Sequence, residues 1–282
     1  MDPMSPRVQS PPRGAATVST LTAVVLTVTT AACSADGNST GAVSDTSTVP
    51  VLTAEVTAEH PFDSSAFTQG LEVMPDGDLL VSTGLNGESR IFRAPVDDAA
   101  SPTVSEDLDE RHFGEGATLH GDTVWQLTWK SGVAFARDAD TLEVTRTASY
   151  DGEGWGLCSD GDRLVMSDGS PTLTFRDPDS FERTGDVEVT LDGEPVEELN
   201  ELECTGTGDG REVWANVWHS DHVLRIDPAT GEVTGVVELD LPAGDRDGAD
   251  VLNGIARNAT DDGFLVTGKL WDTLYEVRFS EK

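Results

Sequence analysis

Gln69, Glu115, Trp155, Asn200 and Asn253 stand at the same place in five copies of one short pattern. The copies read Phe67-Thr68-Gln69-Gly70-Leu71, Phe113-Gly114-Glu115-Gly116-Ala117, Glu153-Gly154-Trp155-Gly156-Leu157, Glu198-Leu199-Asn200-Glu201-Leu202 and Val251-Leu252-Asn253-Gly254-Ile255. Brought together, these positions offer three amides, an indole and a single carboxyl group. A carboxyl group can take up and return a proton, and amides can donate and accept hydrogen bonds. Phe67, Phe113, Trp129 and Trp155 supply apolar walls around Glu115. Its pKa is therefore expected above the usual carboxylate range, because a dry wall disfavours the charged form. Lys269 is one of three lysines, with Lys130 and Lys282, in a chain that otherwise uses arginine. It can polarise a carbonyl oxygen or pair with an acid, and the sequence leaves both open. Trp218 fits a pocket wall or packing between sheets equally well. Glu201 and Glu203 can orient donors from behind the ring or serve structure alone, and Asn253 can bond a neighbouring backbone instead of a ligand.

Something must bring these positions together, and the period says what. The apolar residues that close the five copies are 46, 40, 45 and 53 residues apart. Repeats of about 40–50 residues built from short strand-like runs indicate β-propeller blades. The first strand of each blade lines the central channel, so equivalent positions converge there. Hairpin dipeptides such as Asp76-Gly77, Asn86-Gly87, Gly121-Asp122, Asp160-Gly161, Asp168-Gly169 and Asp262-Gly263 punctuate β-rich runs. Asp177-Pro178 and Asp227-Pro228 mark longer turns between third and fourth strands. No stretch carries a sustained helical period. The last repeat has room for only three strands after Asn253. The fourth is expected from residues 49–57, an N-terminal strand that closes the last blade and removes exposed edges. The expected fold is an all-β, five-bladed antiparallel propeller over residues 49–282.

Composition narrows the partners. The 282 residues are 37% hydrophobic and 6% aromatic, enough for a packed core. Asp and Glu number 52 against 18 Lys and Arg, a net charge of −34. Such acidity excludes a nucleic-acid-binding surface, which needs clustered cations. It suits a hydrated surface adapted to a salty exterior; attraction of cationic peptides is the alternative. Arg7 and Arg13 precede an apolar, Thr-rich run ending in Thr30-Ala31-Ala32-Cys33. Residues 1–32 are expected to be a lipoprotein-type signal peptide, with Cys33 lipidated, against plain secretion as the alternative. Residues 33–48 read as a flexible tether. The product is an exported protein that meets the membrane only through its lipid anchor. Cys158 and Cys204 lie one place out of step in neighbouring repeats, so alternation points them to opposite faces and no disulfide is expected. His219 and His222 fall in a turn and are expected to be surface histidines rather than metal ligands.

Eight motifs in order carry a resemblance to a known family. They are Phe67-Thr68-Gln69-Gly70, Phe113-Gly114-Glu115-Gly116, Leu127-Thr128-Trp129-Lys130, Gly154-Trp155-Gly156-Leu157, Asn200-Glu201-Leu202-Glu203, Ala215-Asn216-Val217-Trp218, Leu252-Asn253-Gly254-Ile255-Ala256 and Thr267-Gly268-Lys269-Leu270-Trp271. Over residues 58–279 the chain resembles the plant and bacterial type of glutaminyl-peptide cyclotransferase. The resemblance implies a five-bladed propeller that converts the N-terminal glutamine of peptides to pyroglutamate and releases ammonia. It implies no cofactor and no catalytic metal, and a monomer is expected. On that reading Glu115 and Lys269 are the catalytic candidates, Glu115 moving a proton from the attacking amine to the leaving nitrogen. Phe67, Gln69, Phe113, Trp129, Trp155, Asn200, Glu201, Trp218 and Asn253 are the candidates for substrate binding. Two other classes stay open. One is a non-catalytic, peptide-binding propeller lipoprotein. The other is a metal-dependent propeller hydrolase of the lactonase kind. Glu115, Asn200 and Asn253 offer that hydrolase oxygen ligands, but Gln69 and Trp155 break the set.

Overall fold

The computed structural model describes residues 49–241, 248–258 and 262–281. The expected signal peptide, tether and lipidated Cys33 all fall outside the described residues. Apart from two short 3-10 segments at Val96–Asp98 and Gly208–Gly210, the regular structure is all β. The first strand, β1 (Val51–Pro61), is followed by a four-stranded sheet of β2 (Thr68–Val73), β3 (Asp78–Thr83), β4 (Arg90–Pro95) and β5 (Val104–Asp107). A second sheet contains β6 (Gly114–His120), β7 (Thr123–Thr128), β8 (Val133–Asp138) and β9 (Val144–Ser149). A third contains β10 (Leu157–Ser159), β11 (Leu164–Met166), β12 (Thr172–Arg176) and β13 (Arg183–Glu188). A small hairpin, β14 (Thr190–Leu191) and β15 (Glu194–Pro195), comes next.

The last sheet has eight strands. They are β16 (Leu199–Thr205), β17 (Glu212–Val217), β18 (His222–Ile226), β19 (Val233–Glu238), β20 (Leu252–Arg257), β21 (Phe264–Gly268) and β22 (Thr273–Glu281), with β1 between β19 and β22. Strand β1 runs antiparallel to β22 from Leu52↔Glu281 to Pro61↔Thr273, and meets β19 in only a short parallel register at Val51↔Val236 and Leu52↔Val237. The N-terminal strand thus lies beside the C-terminal one, slightly later and longer than residues 49–57.

The turns follow from the residues that form them. Gly77 has φ 94° and Gly161 φ 89°, left-handed conformations that only glycine adopts without strain. Between third and fourth strands an aspartate folds the loop back. Asp138 Oδ1 accepts from the backbone N–H of Thr141 at 2.9 Å, Asp177 Oδ1 from that of Ser180 at 2.8 Å, and Asp227 Oδ1 from that of Ala229 at 2.8 Å.

The core lies between sheets. Leu80 and Ile91 of the first sheet pack on Ala117 and Val124 of the second, and Trp125 and Leu127 of the second on Leu157 and Leu164 of the third. Val165 and Leu173 meet Leu202 and Val213, Trp214 and Val223 meet Ile255 and Phe264, and Leu265 and Leu274 meet Leu71 and Val81. The innermost strands touch in sequence, β2 to β6, β6 to β10, β10 to β16, β16 to β20, and β20 back to β2. This circuit is propeller-like.

The glycine of the repeated pattern makes that contact possible. A Cβ on Gly70 would lie 2.6 Å from the Ala117 nitrogen, one on Gly116 2.6 Å from the Leu157 nitrogen, and one on Gly156 2.1 Å from the Asn200 carbonyl oxygen. The fourth copy has Glu201 instead, and its carboxylate reaches across the circuit. It accepts from the N–H of Leu71 at 3.2 Å and of Ile255 at 2.8 Å, joining β16 to β2 and β20.

Cys158 and Cys204 form a disulfide, with Cα atoms 5.4 Å apart, against the sequence expectation. Alternation does send them to opposite faces of their own sheets. Sheets stacked around a ring, however, present the front of one to the back of the next. Opposite faces of consecutive sheets are the ones that meet, and both cysteines sit in the hydrophobic layer between the third sheet and β16–β19.

Candidate active site

At one end of the circuit lies a cavity of about 240 Å³, lined by Phe67, Gln69, Phe113, Glu115, Trp129, Trp155, Asn200, Trp218, His219, Asp250 and Lys269. Two local devices aim these side chains. The first is an irregularity near the start of the inner strands. Pairing shifts between Thr68 and Gly70, Gly114 and Ala117, Leu199 and Leu202, and Leu252 and Ile255. Gln69, Glu115, Asn200 and Asn253 sit inside those shifts, where a bulge turns a side chain out of the regular alternation. The second device is the residue just beyond the second strand. Trp129 N–H donates to Phe113 O at 3.0 Å, Trp218 N–H to Glu198 O at 2.8 Å, and Lys269 N–H to Val251 O at 3.0 Å. In the first sheet Gly84 makes the same bond to Phe67 O at 2.8 Å. A Cβ there would lie 2.3 Å from the Phe113 ring, so glycine leaves room for that phenyl group.

Glu115 and Lys269 are 4% and 5% exposed, so two buried ionisable groups share one pocket. Burial pushes the Glu115 carboxyl well above its ordinary range; Lys269 opposes this, the Glu153 carboxylate adds to it, and a hydrogen bond from Gln69 opposes it. Burial likewise lowers the Lys269 ammonium, against the pull of Glu115 and Asp250. The Lys269 Nζ lies 4.9 Å from the centroid of the Phe67 ring and 5.9 Å from that of Trp218. Asn253 is buried behind Gln69. Its Nδ2 donates to Thr68 O and to Gln69 Oε1, each at 3.0 Å, which leaves the Gln69 amide nitrogen to donate to Glu115. The aromatic walls interlock, Phe67 on Phe113 at 6.1 Å, Phe113 on Trp129 at 5.5 Å and Trp155 on Trp218 at 5.3 Å between ring centroids.

The glutamine cyclotransferase profile matches residues 23–279 of this sequence. The chain belongs to the glutamine cyclotransferase family. It is 38% identical over 234 residues to a glutaminyl-peptide cyclotransferase of Arabidopsis thaliana, covering 80% of this chain and 71% of that protein. It is also similar to the crystal structure of Myxococcus xanthus glutaminyl cyclase, at 38% identity and a TM-score of 0.75, over 83% of this chain and 99% of that one.

Of the residues that family resemblance singled out, two do not line the pocket. Glu201 is spent on the backbone N–H groups of β2 and β20, so substrate contact is corrected to a structural bond across the circuit. Asn253 acts through Gln69 rather than facing the cavity itself. Two residues of the lining escaped the sequence reading. His219 is exposed, as expected of a surface histidine, and at the rim of the pocket it adopts φ 59° and lays its ring 4.0 Å from that of Trp218. Asp250 precedes β20 and stands at the exposed side of the pocket. The signal for both was adjacency, since each flanks a pattern residue, Trp218 or Val251. Among the described residues, no group of three or more His, Cys, Asp and Glu side chains is arranged to hold a metal ion.

Proposed function

We propose that this protein is a glutaminyl-peptide cyclotransferase, converting the N-terminal glutamine of peptides to pyroglutamate with release of ammonia. The observation that carries this reading is a lone buried carboxyl group, Glu115, steadied by Gln69 beside Lys269 in an aromatic pocket. The neutral α-amine attacks the side-chain amide carbon of the same residue. One C–N bond forms, the bond to the amide nitrogen breaks, and ammonia leaves. Because nucleophile and electrophile share one residue, a fold that holds the chain bent supplies high effective molarity. Glu115 takes the proton that the amine loses and delivers it to the departing nitrogen, and its raised pKa suits both halves of that task. Lys269 and the Asn200 amide stabilise the charge that gathers on the carbonyl oxygen. The tryptophans clasp the aliphatic stem and keep out the water that would hydrolyse the amide instead.

Finer features belong to the same reading. Counting the eight-stranded sheet as two units, divided at the short parallel register of β1 with β19, supports a five-bladed ring closed by β1. The chain acts as a monomer, without cofactor or metal, and is exported and held at the membrane through Cys33. The decisive assay mixes purified protein with a Gln-initiated dipeptide and follows ammonia and the matching mass loss. Ammonia at the native rate in excess chelator supports the metal-free scheme, whereas a chelator-sensitive rate favours a metal-dependent hydrolase. Absence of turnover leaves a peptide-binding propeller. Cys33→Ala is expected to move the protein from the membrane fraction to the soluble one.

A further inference from the structure

One carboxylate beside the pocket enters this scheme so far only through the charge it sets near Glu115. Glu153 lies between β9 and β10, two residues before Trp155. Its Oε2 accepts from the indole N–H of Trp129 at 2.7 Å and from that of Trp155 at 3.1 Å. Its Oε1 lies 3.3 Å from Lys130 Nζ, and that ammonium sits 3.8 Å from the centroid of the Trp129 ring. Trp129 comes from the second sheet and Trp155 from the start of the third, so a single oxygen ties together indoles from two sheets. An indole has one polar atom, a donor. Fixing that atom restrains the ring plane, and each of these rings leans on another pocket wall, Phe113 or Trp218. Burial raises the Glu153 carboxyl, but hydrogen bonds from Trp155, Trp129 and Lys130 outweigh it and hold the group below its ordinary range. The carboxylate therefore stays anionic, and charge-assisted bonds of this kind are the stronger ones.

We propose that Glu153 is a positioning residue for the cyclisation, holding Trp129 and Trp155 in the planes that clasp the glutaminyl side chain. The proposal rests on the cyclotransferase reading of the pocket. Glu153→Ala and Glu153→Gln test it through steady-state kinetics on a Gln-peptide and 1H–15N spectra of the six indole N–H groups. Glu153→Ala is expected to raise KM about tenfold while kcat stays within about threefold, the pattern of lost substrate fit. Glu153→Gln is expected to keep KM near native. Its amide oxygen still accepts from both indoles, in bonds weaker than the charge-assisted ones, and the exposed pair with Lys130 contributes little. The lost push on the Glu115 carboxyl is common to both variants and falls on the pH profile rather than on KM. The indole signals of Trp129 and Trp155, with that of Trp218 in ring contact, should move in Glu153→Ala and return in Glu153→Gln, while those of Trp125, Trp214 and Trp271 stay unchanged. A native KM in Glu153→Ala, unmoved indole signals, or equal KM losses in both variants would overturn the proposal. Failure of the underlying reading looks different, because the native protein itself would then release no ammonia.

Discussion

Burial and the Glu153 carboxylate raise the proton affinity of Glu115, while Lys269 and the hydrogen bond from Gln69 temper it. Glu115→Gln keeps the shape and the hydrogen bond to Gln69 but cannot carry a proton. It is expected to lower kcat by at least ~10²-fold with KM nearly unchanged, measured by ammonia release. On the proposed scheme the acid limb of the native pH–rate profile should lie above the ordinary carboxylate range, because burial raises the proton that Glu115 would shed before accepting the amine's. A native rate in Glu115→Gln sinks the assignment. Most of this site was legible because the repeat puts chemistry at one register position. For Glu201 the sequence left a site role and a purely structural one open, and its carboxyl group is found accepting from two buried N–H donors of the circuit. His219 and Asp250 left adjacency to a pattern residue as their only signal, since residues outside the strands carry no periodic trace.

At the scale of elements, register rules held along each strand and misled between sheets. The bulges at Gln69, Glu115, Asn200 and Asn253 were invisible in the spacing, yet the first three of these side chains line the cavity and the fourth backs Gln69. The cysteine pair was misread by applying alternation within a sheet to a contact between sheets. The disulfide closes a loop of 46 residues between the inner strands of adjacent sheets. Loop-closure entropy puts its contribution at about 4 kcal/mol, an upper figure where the unfolded chain retains structure. The Cys158→Ser/Cys204→Ser protein is expected to unfold at clearly lower denaturant concentration than the native protein under oxidising conditions. Under reducing conditions the two should converge. Coincident transitions in both buffers would show that the bond adds nothing to stability.

For the whole molecule, charge acts at two depths. The surface carries most of a net charge of −34, and its self-repulsion weakens as salt shortens the Debye length. Deeper in, burial raises the carboxyl groups of half-buried Glu72 to about 7 and of buried Glu201 and Glu203 well above their ordinary range. For a carboxyl whose folded pKa exceeds its unfolded value, the folded state binds more protons. Stability is then complete below about 4.5, the ordinary glutamate value, and falls as pH rises toward the folded one, about 7 for Glu72. Two responses should therefore separate. Tm should rise from low to molar potassium chloride at fixed pH, because salt screens the surface. Tm should also be higher at pH 5 than at pH 7.5, and a part of that difference should survive in molar salt, since ions in solution do not screen buried groups. Glu72→Gln should shrink the surviving part, because it removes one of the protons at issue. A pH difference that vanishes entirely at high salt would place the whole effect on the surface and leave the inner carboxyl groups without influence on stability.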